Sequence, residues 1–511
     1  MKEMEMLSKI VGAGKIVHTH ASAVLITENY VYKIKKPVYF GFLDYRQAKQ
    51  RRAYSILEKE LNARYSEDIY MEVLKIIQKK DKYELAPAES SLPALEYVLK
   101  MRRIPDDEFL SSLIGGMGTE QMENIGFEVA CRLSGAERSP EIVDDMGPYD
   151  LIAFNARENF SQLKEAAPEL TDKRVLFAER VTEEFLNSNE KLFKERYTDG
   201  YIRDGHGDLR LEHIYIKGGK LGLIDCIEFN NRFRTNDVVS EAAFLSMELD
   251  YAGKIDLSDA FLRGFFRKFS DAGSLRLLNF YRCYRAMVRA KVAVFTFKGT
   301  EKNNPLYSAK QAEYQRMMDM AMIYAISMKN TPALTFCGMI ATGKSVHSMT
   351  FAKQFPVKRV NTDEMRKKLT GLDAFDNAVV PVGEGIYTQD ISLKVYSDLG
   401  AAAELNKNAG RITIADGTFI KKIYQEAFEK AAGIKPVYIV FNAPEAEIIK
   451  RLKVRESKAS VTDGRLMHYG SLKDFEAELP DGFTVNSVGE ISDNVKEILA
   501  YLMEYSCSTL H

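Results

Sequence analysis

Tryptophan is absent from this 511-residue chain, cysteine is scarce, and neither sign of charge is in excess. Most of these shortages exclude something. The five cysteines, Cys131, Cys226, Cys283, Cys337 and Cys507, form no C-x-x-C pair and have no histidine at metal-ligand spacing, which argues against a zinc module or a disulfide framework. Free thiols in a reducing compartment are expected. Lysine plus arginine (71) offsets aspartate plus glutamate (72), so no global field draws the chain to nucleic acid or to an anionic membrane. A basic-aromatic stripe for single strands is also missing. No uncharged run approaches the ~18 residues of a membrane span. The acidic start, Met1-Lys2-Glu3-Met4-Glu5, lacks the apolar stretch of a secretion signal. A cytoplasmic protein with no membrane partner is expected. The missing tryptophan carries no functional reading.

What is present is the balance of a globular protein, 46% hydrophobic and 28% charged residues, over a length that suggests two or three units. The first hundred residues read as strands. Ala23-Val-Leu-Ile-Thr27 and Tyr30-Val-Tyr-Lys-Ile-Lys35, split by Glu28-Asn29, are a hairpin signal, as are Leu74-Lys-Ile-Ile-Gln78 and Tyr83-Glu-Leu85 around a charged turn. Residues 45–65 contain no Gly or Pro and favour a helix, and Glu96-Tyr-Val-Leu-Lys-Met101 is a further strand. Helical periodicity dominates residues 106–201 and 237–328. On the second stretch Arg282, Arg285 and Arg289 share one helix face, expected to be solvated or ion-paired. From Ala333 strands and helices alternate to the end, as in a doubly wound parallel sheet. The main boundary is placed near residue 328, giving domains 1–328 (small lobe about 1–102, large lobe about 103–328) and 329–511.

The strand Ala333-Leu-Thr-Phe-Cys337 runs into Gly338-Met339-Ile340-Ala341-Thr342-Gly343-Lys344-Ser345-Val346, a G-x-x-x-x-G-K-S loop that opens a helix. Strand, glycine loop and helix aim backbone N–H groups and a helix N-terminus at phosphate oxygens. In such a loop Lys344 reaches the β- and γ-phosphates and the Ser345 hydroxyl ligates Mg²⁺. A second strand, Arg411-Ile-Thr-Ile-Ala-Asp416, ends in an acid where ligands lie in doubly wound sheets. Asp416 could orient Mg²⁺, act as a base, or merely cap a helix. Asn361-Thr-Asp363-Glu-Met-Arg366-Lys367 resembles the segment in which small P-loop kinases hold their acceptor, which implies Asp363 as base or acceptor anchor and Arg366 as anion clamp. Arg451 and Arg455, four apart on a helix, share one face and suit a charge-neutralising lid or ordinary solvation. Together these features resemble the small-molecule P-loop kinases of the gluconate kinase and nucleoside monophosphate kinase type.

The N-terminal half carries its own chemistry in His206-Gly-Asp208-Leu-Arg-Leu-Glu-His213, followed by a hairpin to Leu223-Ile-Asp225. Two acids flank a short hairpin, one placed to accept a hydroxyl proton and one to bind Mg²⁺. The pattern resembles the aminoglycoside phosphotransferase-like branch of the protein kinase fold, H-G-D-x-x-x-x-N followed by I-D. That resemblance implies Asp208 as base, Asp225 as Mg²⁺ ligand, Lys33 on the α- and β-phosphates and Glu58 as the partner of Lys33, with Lys35 and Glu60 as neighbouring alternatives. It makes Glu96-Tyr-Val98 the adenine hinge. His213 stands where the family has a metal-binding Asn, and a neutral imidazole is a poor ligand for Mg²⁺. Either Glu228, in Asp225-Cys-Ile-Glu228, supplies the missing oxygen or the site is weak. Thr19-His20-Ala-Ser22 replaces a glycine-rich nucleotide turn. His206 is expected to brace its loop, and Asp237 to cap or buttress the core.

The whole chain resembles a bacterial fusion of an aminoglycoside phosphotransferase-like domain with a P-loop kinase-like domain. The fold class is then an α+β bilobal kinase-like domain followed by an α/β P-loop domain. The activity implied is ATP- and Mg²⁺-dependent transfer of the γ-phosphoryl group to a hydroxyl of a small molecule. The alternative is a nucleotide-binding regulatory protein whose N-terminal half is a pseudokinase. Phosphorylation of nucleic-acid ends is disfavoured by the balanced charge. The acceptor is decided by pocket shape, and oligomeric state has no signature here.

Overall fold

The structure is a computed structural model that describes residues 2–41, 43–138, 146–373, 383–456 and 466–508. Its contacts divide the chain into two compact units, Met1–Asn155 with Asn189–Ser274, and Ala156–Ser188 with Leu275–His511. The junction expected near 328 lies at the end of helix Pro305–Lys329. By contacts, that helix and the residues from Leu275 onward group with the sheet of the second unit.

The first unit has a strand-rich small lobe and a mainly helical large lobe. Its small lobe is an antiparallel sheet of β1 (Lys15–His18), β2 (Ser22–Ile26), β3 (Tyr30–Lys35), β4 (Tyr70–Lys79), β5 (Lys82–Pro87) and β6 (Glu96–Arg102), ordered β1-β2-β3-β6-β4-β5. Both hairpins read from the sequence are present. Alternation along β3 sorts its side chains. Tyr32 and Ile34 join Leu25, Leu74, Ile76 and Val98 in a core closed by Met4 and Leu7 of helix Lys2–Val11. Lys33 and Lys35 point to the other face, toward helix Ala48–Ala63. Glu96-Tyr97-Val98, expected as the adenine hinge, lies inside the sheet. Glu96 pairs with Ile76 of β4 and its carboxylate is taken by Arg51 at 2.7–3.0 Å. The chain leaves β6 at Arg102 and enters the helical lobe through Arg103-Ile104-Pro105.

In the large lobe, β7 (Ile202–Asp204) pairs with β10 (Thr235–Asp237), and β8 (Ile214–Lys217) forms a hairpin with β9 (Lys220–Leu223). Residues 205–210 and 224–230 are loops between these ladders, each followed by a short helical turn, Leu211–His213 and Asn231–Arg234. Asp237 caps helix Val238–Tyr251, accepting from Val239 N at 2.8 Å, and its carboxylate is paired with buried Arg196.

The second unit contains β11 (Ala333–Cys337), β12 (Lys358–Asn361), β13 (Thr413–Asp416), β14 (Val437–Asn442) and β15 (Phe483–Asn486), all parallel in the order β12-β13-β11-β14-β15. Helices cover both faces. Ala333 and Cys337 pack with Val395, Leu399 and Phe428, from helices Gln389–Asn408 and Lys422–Ala432. Phe336 turns the other way, to Phe351 of helix Lys344–Gln354. On the arginine face of helix Ala272–Lys298 Arg289 is ion-paired, with Glu313, while Arg282 and Arg285 are buried and not solvated. Arg282 lies over the Tyr324 ring at 5.7 Å, because this side of the helix is covered by helix Pro305–Lys329. Among the described residues no helix is long and apolar enough to cross a membrane.

Helices Thr119–Ser134 and Ile255–Phe266 of the first unit cross at paired glycines. A Cβ on Gly126 would lie 2.0 Å from Phe261 O, and one on Gly264 would lie 1.8 Å from Glu123 O. Backbone cannot yield as a flexible side chain does, so Gly126→Ala is expected to destabilise the first unit by about 1–3 kcal/mol or more. Urea denaturation followed by tyrosine fluorescence checks this; an unchanged midpoint would contradict the close crossing.

Candidate functional site

The loop between β11 and helix Lys344–Gln354 is shaped by backbone that only particular residues tolerate. Gly338 has φ +134°, and a Cβ there would sit 2.4 Å from the Phe441 carbonyl oxygen; Gly343 has φ +92°. Ala341 adopts φ +59°, a left-handed conformation that costs energy for a residue with a Cβ. No side chain caps the first turn of the helix, leaving its N–H groups for a ligand. Lys344 Nζ donates to Met339 O at 3.2 Å, bent back over the loop.

Asp416, at the end of β13, is fully buried. Its Oδ1 accepts from Ser345 Oγ at 3.2 Å. Its Oδ2 accepts from Ser348 Oγ at 2.8 Å, Arg359 at 2.7 Å and Asn361 Nδ2 at 3.0 Å. A buried carboxylate needs such donors. Asn361 also caps the next helix, accepting from Asp363 N and Glu364 N at 2.9 and 3.1 Å, which seats Asp363 in the first turn. Lys344, Ser345, Asp363, Arg366 and Asp416 all line one cavity of about 150 Å³, together with Tyr387, Tyr396, Tyr424 and His468. Arg366 donates to Ile386 O and Ser392 Oγ and lies 4.5 Å from the Tyr387 ring centre; its Nε is buried and makes no hydrogen bond.

Arg451 pairs with Glu447 at 3.0 Å and donates to Ala341 O and to Ser487, bracing the loop from behind. The side chain of Arg455 lies outside the described residues.

In the first unit, Lys33 Nζ lies 2.7 Å from Glu58 Oε1 and 2.8 Å from Asp225 Oδ1. The two alternatives resolve differently. Lys35 shares Glu58 through its second oxygen at 2.6 Å and also contacts Glu228, while Glu60 is exposed. Glu228 is further held by Tyr45 Oη at 2.6 Å, so its carboxylate faces Lys35 and Tyr45. For Lys33, Glu58 and Asp225 desolvation disfavours the charged form, yet their mutual pairing outweighs it. Asp225 and Glu58 are held below the usual carboxylate range by the lysines despite burial, and Lys33 is raised by Asp225 and Glu58.

His206 and His213 hold the loop that carries Asp208. His206 Nε2 donates to Ile224 O at 2.8 Å, its Nδ1 accepts from Asp208 N at 3.3 Å, and Glu241 accepts from His206 N and Gly207 N. His213 Nδ1 lies 2.9 Å from Asp208 O, and its Nε2 lies 3.6 Å from Asp225 Oδ2. Asp225 has φ +62° and its N–H donates to Tyr70 Oη at 2.9 Å. The turn between β1 and β2 is closed by Thr19 Oγ1, which accepts from Ser22 N at 2.9 Å. Burial pushes the thiols of Cys226, Cys283 and Cys337 up to about 12, so these cysteines are thiols at neutral pH.

Sequence reasoning missed Arg359, Ser348, Tyr45 and Tyr70. Period two along β12 puts Arg359 and Asn361 on one face, but only the register of Asn361 opposite Asp416 reveals the target.

Residues 334–471 match the family model described as AAA domain. An uncharacterized protein of Mycobacterium bovis is 29% identical over 404 residues, covering 78% of this chain and 77% of its own. Among solved structures, a sugar kinase from Janibacter is 14% identical and covers 35% of this chain and 99% of its own, with a TM-score of 0.26. An ADP-bound aminoglycoside phosphotransferase is also 14% identical and covers 62% and 96%, with a TM-score of 0.35. The chain joins a unit built on a six-stranded antiparallel sheet to an α/β unit whose five-stranded parallel sheet carries the G-x-x-x-x-G-K-S loop.

Burial and the nearby His213 lower the His206 pKa to about 4, against about 6.5 in an unfolded chain. Between these values the unfolded state binds more protons, so the stabilisation of the loop is full above pH 6.5 and is lost as pH falls toward 4, by about 3 kcal/mol in all. The protection factors of β8 and β9 amides, corrected for the intrinsic pH dependence of exchange, should fall as pH drops across that window, and His206→Gln should flatten the dependence. A slope retained in His206→Gln would assign it elsewhere.

Proposed function

We propose that the chain is an ATP- and Mg²⁺-dependent phosphotransferase that moves the γ-phosphoryl group to a hydroxyl of a small molecule, with the P-loop half carrying the reaction. The observation behind this reading is the convergence of a phosphate-type loop, Lys344, the Ser345–Asp416 pair and Asp363 on one cavity. Phosphoryl transfer needs a cradle, a cation anchor and a group to receive the hydroxyl proton, and little else.

The residues suit Mg²⁺, because Ser345 Oγ and Asp416 Oδ1 are neighbouring hard oxygens 3.2 Å apart. Bound there, Mg²⁺ would supply charge neutralisation at the β- and γ-phosphates. The N–H groups of residues 338–346 cradle phosphate oxygens, and Lys344 swings from Met339 O to the transferring group. Asp363 takes the proton of the acceptor hydroxyl as its oxygen bonds to the γ-phosphorus and the bond to the ADP oxygen breaks. Arg366, with a buried Nε lacking a hydrogen bond, offers a donor to an oxygen of the acceptor. Arg451 and Arg455 serve the lid, Arg451 by bracing the loop at Ala341.

The N-terminal half is read as a second nucleotide site. Lys33 and Glu58 would bind the α- and β-phosphates, Asp208 would receive a proton, and Asp225 with His213 would face a metal. Glu228 was a candidate for that metal; its contacts with Lys35 and Tyr45 favour a structural role instead. A regulatory reading, with a pseudokinase half, draws on His213 in the position of the family Asn.

Calorimetric titration of Mg²⁺-ATP should find two sites, one lost in Lys344→Ala and the other in Asp225→Ala. Phosphate transfer or release should fall by about a hundredfold or more in Lys344→Ala. Turnover indifferent to Lys344 would defeat the proposal, and turnover indifferent to Asp225 would favour the regulatory reading. Separately, Asp363→Asn is expected to lower kcat by roughly 10²–10⁴-fold with KM little changed. A change confined to KM would make Asp363 an anchor and not the base.

A further inference from the structure

Beyond the phosphate-type loop, the wall of the P-loop cavity is built from aromatic rings and from polar groups that already have partners. Tyr387, at the end of the turn Gly385–Tyr387, Tyr396 on helix Gln389–Asn408 and Tyr424 on helix Lys422–Ala432 all line it, with Ile420 and Leu472. Tyr396 and Tyr424 are stacked, with ring centres 4.8 Å apart and planes within 7° of parallel. Asn361, on the same wall, has both ends of its amide filled: the oxygen accepts from Asp363 N and Glu364 N, and the nitrogen donates to Asp416 O and Oδ2 at 3.3 and 3.0 Å. Ser392 Oγ accepts from Arg366 at 3.0 Å. Thr418 Oγ1 and Tyr396 Oη are bonded to each other at 3.1 Å, and Tyr396 Oη also accepts from Phe419 N at 3.3 Å. Against these, Arg366 is 5% exposed and its Nε makes no hydrogen bond, which leaves one buried donor for a ligand atom.

A polyhydroxylated acceptor would have to bury several hydroxyls in this cavity without partners, and each one weakens binding by roughly tenfold. A flat ring gains instead, because aromatic walls favour offset and edge contacts with it. Size points the same way: the cavity measures about 150 Å³, and an apolar cavity of about that volume takes a benzene-sized ring.

We propose that the acceptor is a small aromatic alcohol, a single ring with the reacting hydroxyl on a short arm and at most one further hydrogen-bond acceptor, which meets Arg366 Nε. Polyols, sugar acids and multi-ring glycosides are excluded from this site. The proposal rests on the reading of the P-loop half as a phosphotransferase. The hydroxyl oxygen bonds to the γ-phosphorus, the bond from that phosphorus to the ADP oxygen breaks, and the hydroxyl proton passes to Asp363. The products are ADP and the phosphate monoester of the alcohol.

The test uses the full chain carrying Asp208→Ala, which removes the proton acceptor read in the N-terminal half. Mg²⁺-ATP is supplied with benzyl alcohol or with glycerol, sorbitol or gluconate, and ester formation is followed by ³¹P nuclear magnetic resonance. Benzyl phosphate is expected, with kcat/KM about tenfold or more above that for each polyol. Tyr387→Leu and Tyr424→Leu should each raise KM for benzyl alcohol by roughly three- to tenfold while kcat moves less; mere loss of structure would lower kcat and ADP binding as well. With Mg²⁺-ADP bound, saturation transfer from the protein to the ring protons of benzyl alcohol is expected and should weaken in both variants. A polyol used as well as benzyl alcohol, or ring binding indifferent to both tyrosines, would overturn the aromatic class while leaving the phosphotransferase reading intact. Saturation transfer to the ring without ester from any acceptor would remove the phosphotransferase reading, and with it the acceptor, leaving only a ring-binding site. Neither ring binding nor ester would overturn both.

Discussion

A charge taken out of water survives only if opposite charge or several donors meet it, and both candidate sites are organised by that requirement. Asp416 sits at the end of a parallel strand with no exposure, and four side chains from two elements, helix Lys344–Gln354 and β12, converge on its two oxygens. Those same side chains set the P-loop serine, the cap of helix Thr362–Leu369 and the start of the segment that carries Asp363. In the first unit Lys33, Lys35, Glu58, Asp225 and Glu228 are mutually paired. Through them β3, helix Ala48–Ala63 and the segment after β9 are tied to one another.

Strain collects at the same places. Among the described residues, the non-glycine positions with positive φ are Lys80, Asp225, Ala341 and Phe419. Lys80 turns a hairpin, and the other three lie in the Asp225 segment, the P-loop and the turn after Asp416. Left-handed backbone costs a residue with a Cβ about a kilocalorie or more, so the surrounding structure must hold it. Tyr70 does so at Asp225 through its hydroxyl, and Tyr396 does so at Phe419, accepting from its N–H at 3.3 Å. Preorganised loops of this kind present donors without having to rearrange when a ligand arrives.

Much of this was legible in sequence because it is local. Hairpins come from period-two alternation around polar turns, and the P-loop from glycines that the turn geometry requires. The pairing of Lys33 with Glu58 came from family resemblance and has the geometry expected. Other features were not legible. Nothing in the helical period tells that Arg282 and Arg285 are covered, since coverage depends on what packs over that face. Strand propensity marks β6, but only register shows that Glu96-Tyr97-Val98, expected as the adenine hinge, pairs with β4 inside the sheet. Glu228 looked like a spare oxygen beside Asp225; its actual partners, Lys35 and Tyr45, lie nearly two hundred residues earlier.

By itself the sequence determined which segments are strands, helices and phosphate-type loops, because neighbouring residues decide backbone geometry and the side chains that loops require. Tertiary structure alone decided which carboxylate meets which cation, for register and packing bring Arg359 to Asp416 and Lys35 to Glu228 across long stretches of chain.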